Sequence, residues 1–355
     1  MRQSLALFDC RARTDAFMGA LPASGSGLEV SLEKAPGPSF QTRGVVLVPE
    51  DLSLRDWPER VQGAGLTTIA LHHGRSPRVV ARALQSDEGQ GFLQRCRELG
   101  LQIEYELHAM QELLPHALFR QDPTLFRMND QQERTPDANL CVHSQHALDL
   151  VAQHAMALAQ FLRPTTGRYF FWGDDGQPWC RCPQCRELSD SDQALLLENH
   201  LWTVLRHQDE TAQLAHLAYR NTLPAPTQVR PAPGVFLEYA PINRRYDLPY
   251  AQQTAPTHAD GLHRLDANLQ VFRSETAQVL EYWLDVSRFS EWRRPAVKLP
   301  WNSEVFMADV EAYRAWGIRH ITTFAAWVDA DYVKRFGEPD FIGEYGAGLS
   351  RSKAA

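Results

Sequence analysis

Nothing in this 355-residue chain approaches the ~20 consecutive apolar residues that would span a bilayer. The opening stretch, MRQSLALFDCRARTDAF, interrupts its short apolar run with Asp9, Arg11 and Arg13, which speaks against a secretory signal. Basic charge is in deficit. Lys and Arg number 36 against 43 Asp and Glu, a formal charge of −7, which argues against a nucleic-acid groove or an anionic membrane surface as partner. Cysteine is scarce, with six residues, too few for a disulfide scaffold, so a reducing compartment with free thiols is expected. No G-x-G-x-x-G follows a strand pattern and no G-x-x-x-x-G-K-[ST] occurs, which leaves dinucleotide and P-loop readings without support. The expectation is a soluble, cytoplasmic protein.

What remains is an ordinary globular composition, 44% hydrophobic and 22% charged, with ample material for a core. Residues 1–40 are rich in Gly, Ser and Pro around one strand-like stretch, GLEVSLEK, and read as an N-terminal extension or a fragment of a small sheet packed on the main domain. From there short apolar or β-branched runs alternate with helical patterns. The strands expected are Gly44–Val48, Leu66–His72, Leu101–Leu107, Arg168–Gly173, Gln213–Tyr219, Val235–Ala240, Gln278–Leu284 and His320–Trp327. Between them lie helical patterns at Asp56–Gln62, Arg78–Leu99, Ser144–Leu162, Asp190–Arg206, Gly261–Arg273 and Asn302–Trp316. Eight apolar strands alternating with helices predict a (β/α)8 TIM barrel over 41–345 with a tail at 346–355; an open doubly wound sheet would give the same alternation.

Chemistry in such a barrel belongs at the C-terminal strand ends. His72 and His73 follow the second strand, Glu106 and His108 end the third, and Asp174 and Asp175 follow the fourth. Tyr219 and Arg220 follow the fifth strand, Glu238, Tyr239, Arg244 and Arg245 the sixth, Glu281, Tyr282 and Asp285 the seventh, and Trp327 the eighth. Aromatic faces, carboxylates and charged donors together suit a sugar cleft. In Asp174–Asp175 adjacent carboxylates disfavour joint ionisation, which raises one pKa toward the general-acid range, although DDG is also an ordinary turn signal. On an extended strand Glu281, Trp283 and Asp285 share a face, so a base or nucleophile there, or a salt bridge to Arg244 or Arg245, are both open. Glu104, Glu106 and His108 likewise share a face, pointing either to substrate or to an ion-paired interior.

Half of the cysteines fall in WCRCPQC. Cys180, Cys182 and Cys185 supply three thiolates, and tetrahedral zinc requires a fourth, for which Cys141 is placed, with His143 or His146 as substitutes. Reduced, buried thiols are the alternative.

The runs YELHAMQELLPHALFRQDPTLFRMNDQQERTPDANLCVHSQHAL, WGDDGQPWCRCPQC, LEYWLDVSRFSEWRRPAVKLPW and GIRHITTFAAW resemble the bacterial group known as domain of unknown function 4838. That resemblance, over about Phe40 to Trp327, implies a glycoside-hydrolase-like barrel related to α-glucuronidases and β-hexosaminidases. The order Cys141, Cys180, Cys182, Cys185 is also similar to the zinc site of some barrel β-galactosidases, which supports a structural zinc. The Asn-Glu pair of those galactosidases is replaced here by Asp174–Asp175, a position similar to the acidic pair of hexosaminidase-like relatives.

The reading is therefore a glycoside hydrolase acting on a carbohydrate or a uronic-acid-containing glycoside. Asp174 or Asp175 is its general acid, and Glu281 or Asp285 its base or nucleophile. His72, His73, Glu106, His108, Glu238, Tyr239, Arg244, Tyr282 and Trp327 are expected to contact substrate. A non-catalytic carbohydrate-binding barrel and a metal-dependent hydrolase using His72, His73 and His108 are the rivals.

Overall fold

The structure, a computed structural model, describes residues 40–74, 76–253 and 256–351. The N-terminal extension and its GLEVSLEK strand lie outside these residues. Eight strands, β1 (Thr42–Leu47), β2 (Thr68–His73), β3 (Gln102–His108), β4 (Arg168–Trp172), β5 (Gln213–Ala218), β6 (Val235–Tyr239), β7 (Gln278–Glu281) and β8 (His320–Phe324), pair in parallel and in order. The ring closes where β1 pairs with β8, Thr42 opposite His320 and Val46 opposite Phe324. The fold is a closed (β/α)8 barrel.

Alternation along each strand sorts side chains into two layers. On β4, Tyr169 and Phe171 pack outward against the helices, while Phe170 and Trp172 point into the barrel with Val46, Ala70, Ala215 and Phe236. Helix starts follow the side-chain caps the sequence provides. Ser144 accepts from Ala147 N ahead of helix Gln145–Phe161, Ser189 from Asp192 N ahead of Asp190–Gln208, and Asn302 from Val305 N ahead of Ser303–Ala315. The last helix, Phe341–Ser350, packs Tyr345 and Leu349 into the outer core, so the folded chain runs past the boundary expected at 345. Among the described residues no helix is long and apolar enough to cross a membrane.

Three elements differ from expectation. The helix expected over Arg78–Leu99 is two, Pro77–Gln85 and Asp87–Glu98, because Ser86 is extended (φ −70°, ψ 160°) and caps the second through Gly89 N. Gly89 lies so close to Ala83 that a Cβ would sit 2.1 Å from its carbonyl oxygen. Strand β7 stops at Glu281 and β8 at Phe324, each three residues early. Beyond Glu281 the chain turns, Asp285 N bonding to Tyr282 O, and Asp285 caps a short helix, Val286–Phe289.

Candidate active site

The C-terminal strand ends surround an open cleft of about 760 Å3. Of the residues expected at the mouth, His72, His73, His108, Asp175, Tyr282, Asp285 and Trp327 line it, as do Tyr219 and Arg220. Trp172, Glu50, Phe324 and Trp292 also line it and were not among the candidates. Trp172 was legible, since it is in phase with Phe170 on β4. Glu50 sits just past β1, where the strand-end rule points. Trp292 carries no sequence signal, because it is presented by two consecutive left-handed residues, Glu291 (φ 51°) and Trp292 (φ 54°), neither of them glycine.

The other candidates lie elsewhere. Glu281 faces outward from β7 and does not reach the cleft; its carboxylate takes Arg244 Nη1 at 2.8 Å, the Tyr246 hydroxyl at 3.0 Å and the Tyr313 hydroxyl. Arg244 is spent on the same cluster, bonding Glu281 and Asp309, and is buried away from the cleft. The expected shared face of Glu281, Trp283 and Asp285 fails because the strand ends at Glu281. Tyr239 also faces outward, its hydroxyl 2.9 Å from that of Tyr250. Glu106 and Glu238 share the barrel interior beneath the cleft, both taking Gln278 Nε2 at 3.1 Å. Glu238 also accepts the indole N–H of Trp172 at 2.8 Å and so props the cleft from below. Burial pushes both carboxyls up, Glu238 to about 8. Asp174 turns away from the cleft and accepts Asn139 N at 2.8 Å, while burial raises its carboxyl.

Two carboxyls therefore enter the cleft from loops three strands apart, Asp175 after β4 and Asp285 after β7, with Glu50 at the rim. Burial pushes Asp285 up to about 6. Its Oδ1 accepts Ser287 Oγ at 2.6 Å and Arg288 N at 3.1 Å, and no bond among the described residues engages Oδ2. Asp175 lies beside the Tyr219 hydroxyl and Arg220; burial first and the Asp175 charge second push the Tyr219 hydroxyl up. His72 is driven down to about 3, by burial first and His108 second; burial also lowers His108. Each donates Nδ1–H to a backbone carbonyl at 2.7 Å, His72 to Glu106 and His108 to Gly173, which leaves both Nε2 atoms as acceptors. Tyr282 and Phe324 stack with centroids 5.3 Å apart, an aromatic wall beside Asp285.

The four cysteines converge. Cys141, Cys180, Cys182 and Cys185 are buried with their sulfurs within 4.8 Å of one another. Cys141 Sγ is 3.8 Å from those of both Cys182 and Cys185. A zinc tetrathiolate with bonds of about 2.3 Å has edges of about 3.8 Å, so the donor set fits that ion. The hydrogen bonds shared within the cluster pull the Cys141 thiol down and push those of Cys180 and Cys185 up. His143 Nδ1 is 3.1 Å from Cys185 Sγ, while His146 pairs with Asp122 at 3.3 Å. Among the described residues, His72, His73 and His108 do not form a metal-holding group. The metal-dependent rival thus finds no support.

The model of the family described as Domain of unknown function (DUF4838) matches residues 38–286. No curated protein matches the chain. Among solved structures, the β-galactosidase of Rahnella sp. R3 aligns with a TM-score of 0.52 at 13% identity, covering 89% of this chain and 57% of that one. A GH42 β-galactosidase of G. stearothermophilus gives the same score and identity, covering 89% of this chain and 58% of that one. A glycoside hydrolase family 5 enzyme of Prevotella bryantii B14 aligns at 0.49 and 11% identity, covering 88% of this chain and 99% of that one. This chain thus spans under two thirds of the two galactosidases, and the likeness is one of fold, the (β/α)8 barrel.

Proposed function

The chain belongs to the family described as Domain of unknown function (DUF4838), and we propose that it is a glycoside hydrolase acting on a carbohydrate, neutral or uronic, at the mouth of its barrel. The observation that carries this reading is the entry of Asp175 and Asp285 into one aromatic-walled cleft. Glycosidic cleavage passes through an oxocarbenium-like state. It requires a proton for the leaving oxygen and negative charge or a nucleophile opposite. Asp285, raised to about 6 with one oxygen tethered, is the proton donor. Asp175, beside Arg220 and the Tyr219 hydroxyl, supplies the opposing charge as nucleophile or base. This reverses the roles that strand order suggested and drops Asp174 and Glu281 from the chemistry. Neutral His72 and His108 accept sugar hydroxyls at Nε2, and Tyr282, Phe324 and Trp327 offer faces to a pyranose ring. We further propose that Cys141, Cys180, Cys182 and Cys185 hold one structural zinc, which ties the loop before helix Gln145–Phe161 to the loop after β4.

A panel of aryl glycosides and glucuronides tests the reading. Wild type hydrolyses at least one of them. Asp175→Asn lowers turnover by about 10²–10⁴ whatever the leaving group, while Asp285→Asn loses most on poor leaving groups and least on nitrophenyl ones. Sugar binding without hydrolysis would give the barrel to the binding-module reading.

A further inference from the structure

We propose that Asn139 is the positioning residue for Asp175, coupling the four-thiol site to the cleft. Asn139 is buried, adopts a left-handed backbone (φ 44°), and spends its polar atoms on the turn that presents Asp175. Its N–H donates to Asp174 Oδ2 at 2.8 Å and its Oδ1 accepts Asp174 N at 3.0 Å. Its Nδ2 donates to the carbonyls of Gln177 (3.3 Å) and Pro178 (3.1 Å). Four bonds thus bracket Asp175 on both sides without touching it. Close approach is built in, since a Cβ on Gly173 would lie 2.9 Å from Asn139 Oδ1. On the barrel side His108 holds the Gly173 carbonyl at 2.7 Å. The turn is therefore clamped from two directions.

The same two chain segments meet again at the thiols. Asn139 is two residues before Cys141, and Pro178 is two residues before Cys180. Met128 N donates to Cys180 Sγ at 3.3 Å and Arg181 N to Met128 O at 2.8 Å, so the loop carrying Asn139 and the loop leaving the turn are joined at the thiol cluster. The staple at the thiols fixes the two backbones, and Asn139 transmits that fixity to the turn. Asp174 is then half of a clamp, which explains why it turns away from the cleft.

The consequence for turnover rests on the glycosidase reading; the coupling itself does not. Asn139→Gly is the informative variant, because glycine keeps the left-handed backbone and removes only the amide. Hydrogen exchange by mass spectrometry on the metal-loaded protein should show the 174–177 amides exchanging about tenfold faster or more, the cost of losing buried bonds. Metal content and exchange in the barrel strands should match wild type. Stripping the metal with a mercurial and chelator should loosen 174–177 in wild type and add little further in Asn139→Gly, the non-additivity expected of one pathway. On a hydrolysed aryl glycoside, kcat should fall at least tenfold with KM within twofold. Wild-type exchange at 174–177 in the variant, or additive effects of variant and metal removal, overturns the coupling. If wild type hydrolyses nothing on the panel, the glycosidase reading falls while the exchange measurements still decide the coupling.

Discussion

At Glu281 three side-chain donors, Arg244, Tyr246 and Tyr313, and the backbone N–H of Tyr282 converge on one carboxylate, and Arg244 also serves Asp309. Such a fully partnered, buried ion cluster is costly to break, since removing one member strands the others. Glu281→Gln should therefore destabilise by about 3 kcal/mol while the folded fraction keeps its turnover. Denaturant melts with activity normalised to folded protein check this, and abolished turnover in a fully folded variant would return Glu281 to the chemistry. Asp285 is the opposite case, a buried carboxyl with one oxygen left over. Asp285→Asn keeps the Ser287 and Arg288 bonds, which need only an acceptor, so it should fold normally and lose turnover. Residue chemistry was legible as a set, because aromatics and carboxylates at strand ends pointed to this cleft. Which carboxylate of each pair faces it was not legible. Asp174 is turned away by Asn139, which comes from a distant segment, and Asp285 is separated from Glu281 by the turn that ends β7.

Elements explain where the sequence reading stopped. Apolar runs located all eight strands, but period-two reasoning assumes that the strand continues. At β7 and β8 the turns begin three residues early; Glu281 keeps the outward face it shares with Val279, and the turn after it is what carries Asp285 into the cleft. Ser86 and Gly89 broke a helix whose apolar spacing reads as continuous, because the break serves a close helix–helix approach rather than burial. The C-x-C-x-x-C spacing fared better, since three ligands on one tight loop constrain geometry locally and only Cys141 had to arrive from outside. One zinc per chain should be found by elemental analysis of protein purified without added metal. Cys182→Ser should reduce it below one and lower the melting temperature by roughly 5–10 °C, since metal binding is folding free energy. Zinc-free wild type would leave the cluster as a set of buried thiols.

For the molecule as a whole, the buried carboxyls set how stability depends on pH. Burial raises Glu238 to about 8, Asp285 and Asp309 to about 6, and Glu106 and Asp51 well above their ordinary values. A carboxyl raised in the fold stabilises fully below its unfolded value, about 4, and loses that contribution as pH climbs through the folded one. His72 and His320, both lowered to about 3 by burial, act the other way. Their contribution is whole above the unfolded value near 6.5 and is lost as pH falls toward 3. Above pH ~6.5 the histidines no longer contribute a slope, while Glu238, at about 8, still titrates. Melting temperature should therefore fall between pH 6.5 and 8.5, with Glu238 accounting for about 2 kcal/mol of the loss. Glu238→Gln should flatten that fall, because its amide oxygen still accepts the Trp172 indole while the titrating proton is gone. Thermal melts of both proteins across that range decide it, and a wild-type curve that is level or rising would mean the interior carboxylates ionise freely. The same measurement bears on the cleft, since Glu238 holds Trp172 at its wall. If ionising Glu238 strains the barrel interior, wild-type turnover should decline with stability above pH ~8 and the variant should hold its activity to higher pH.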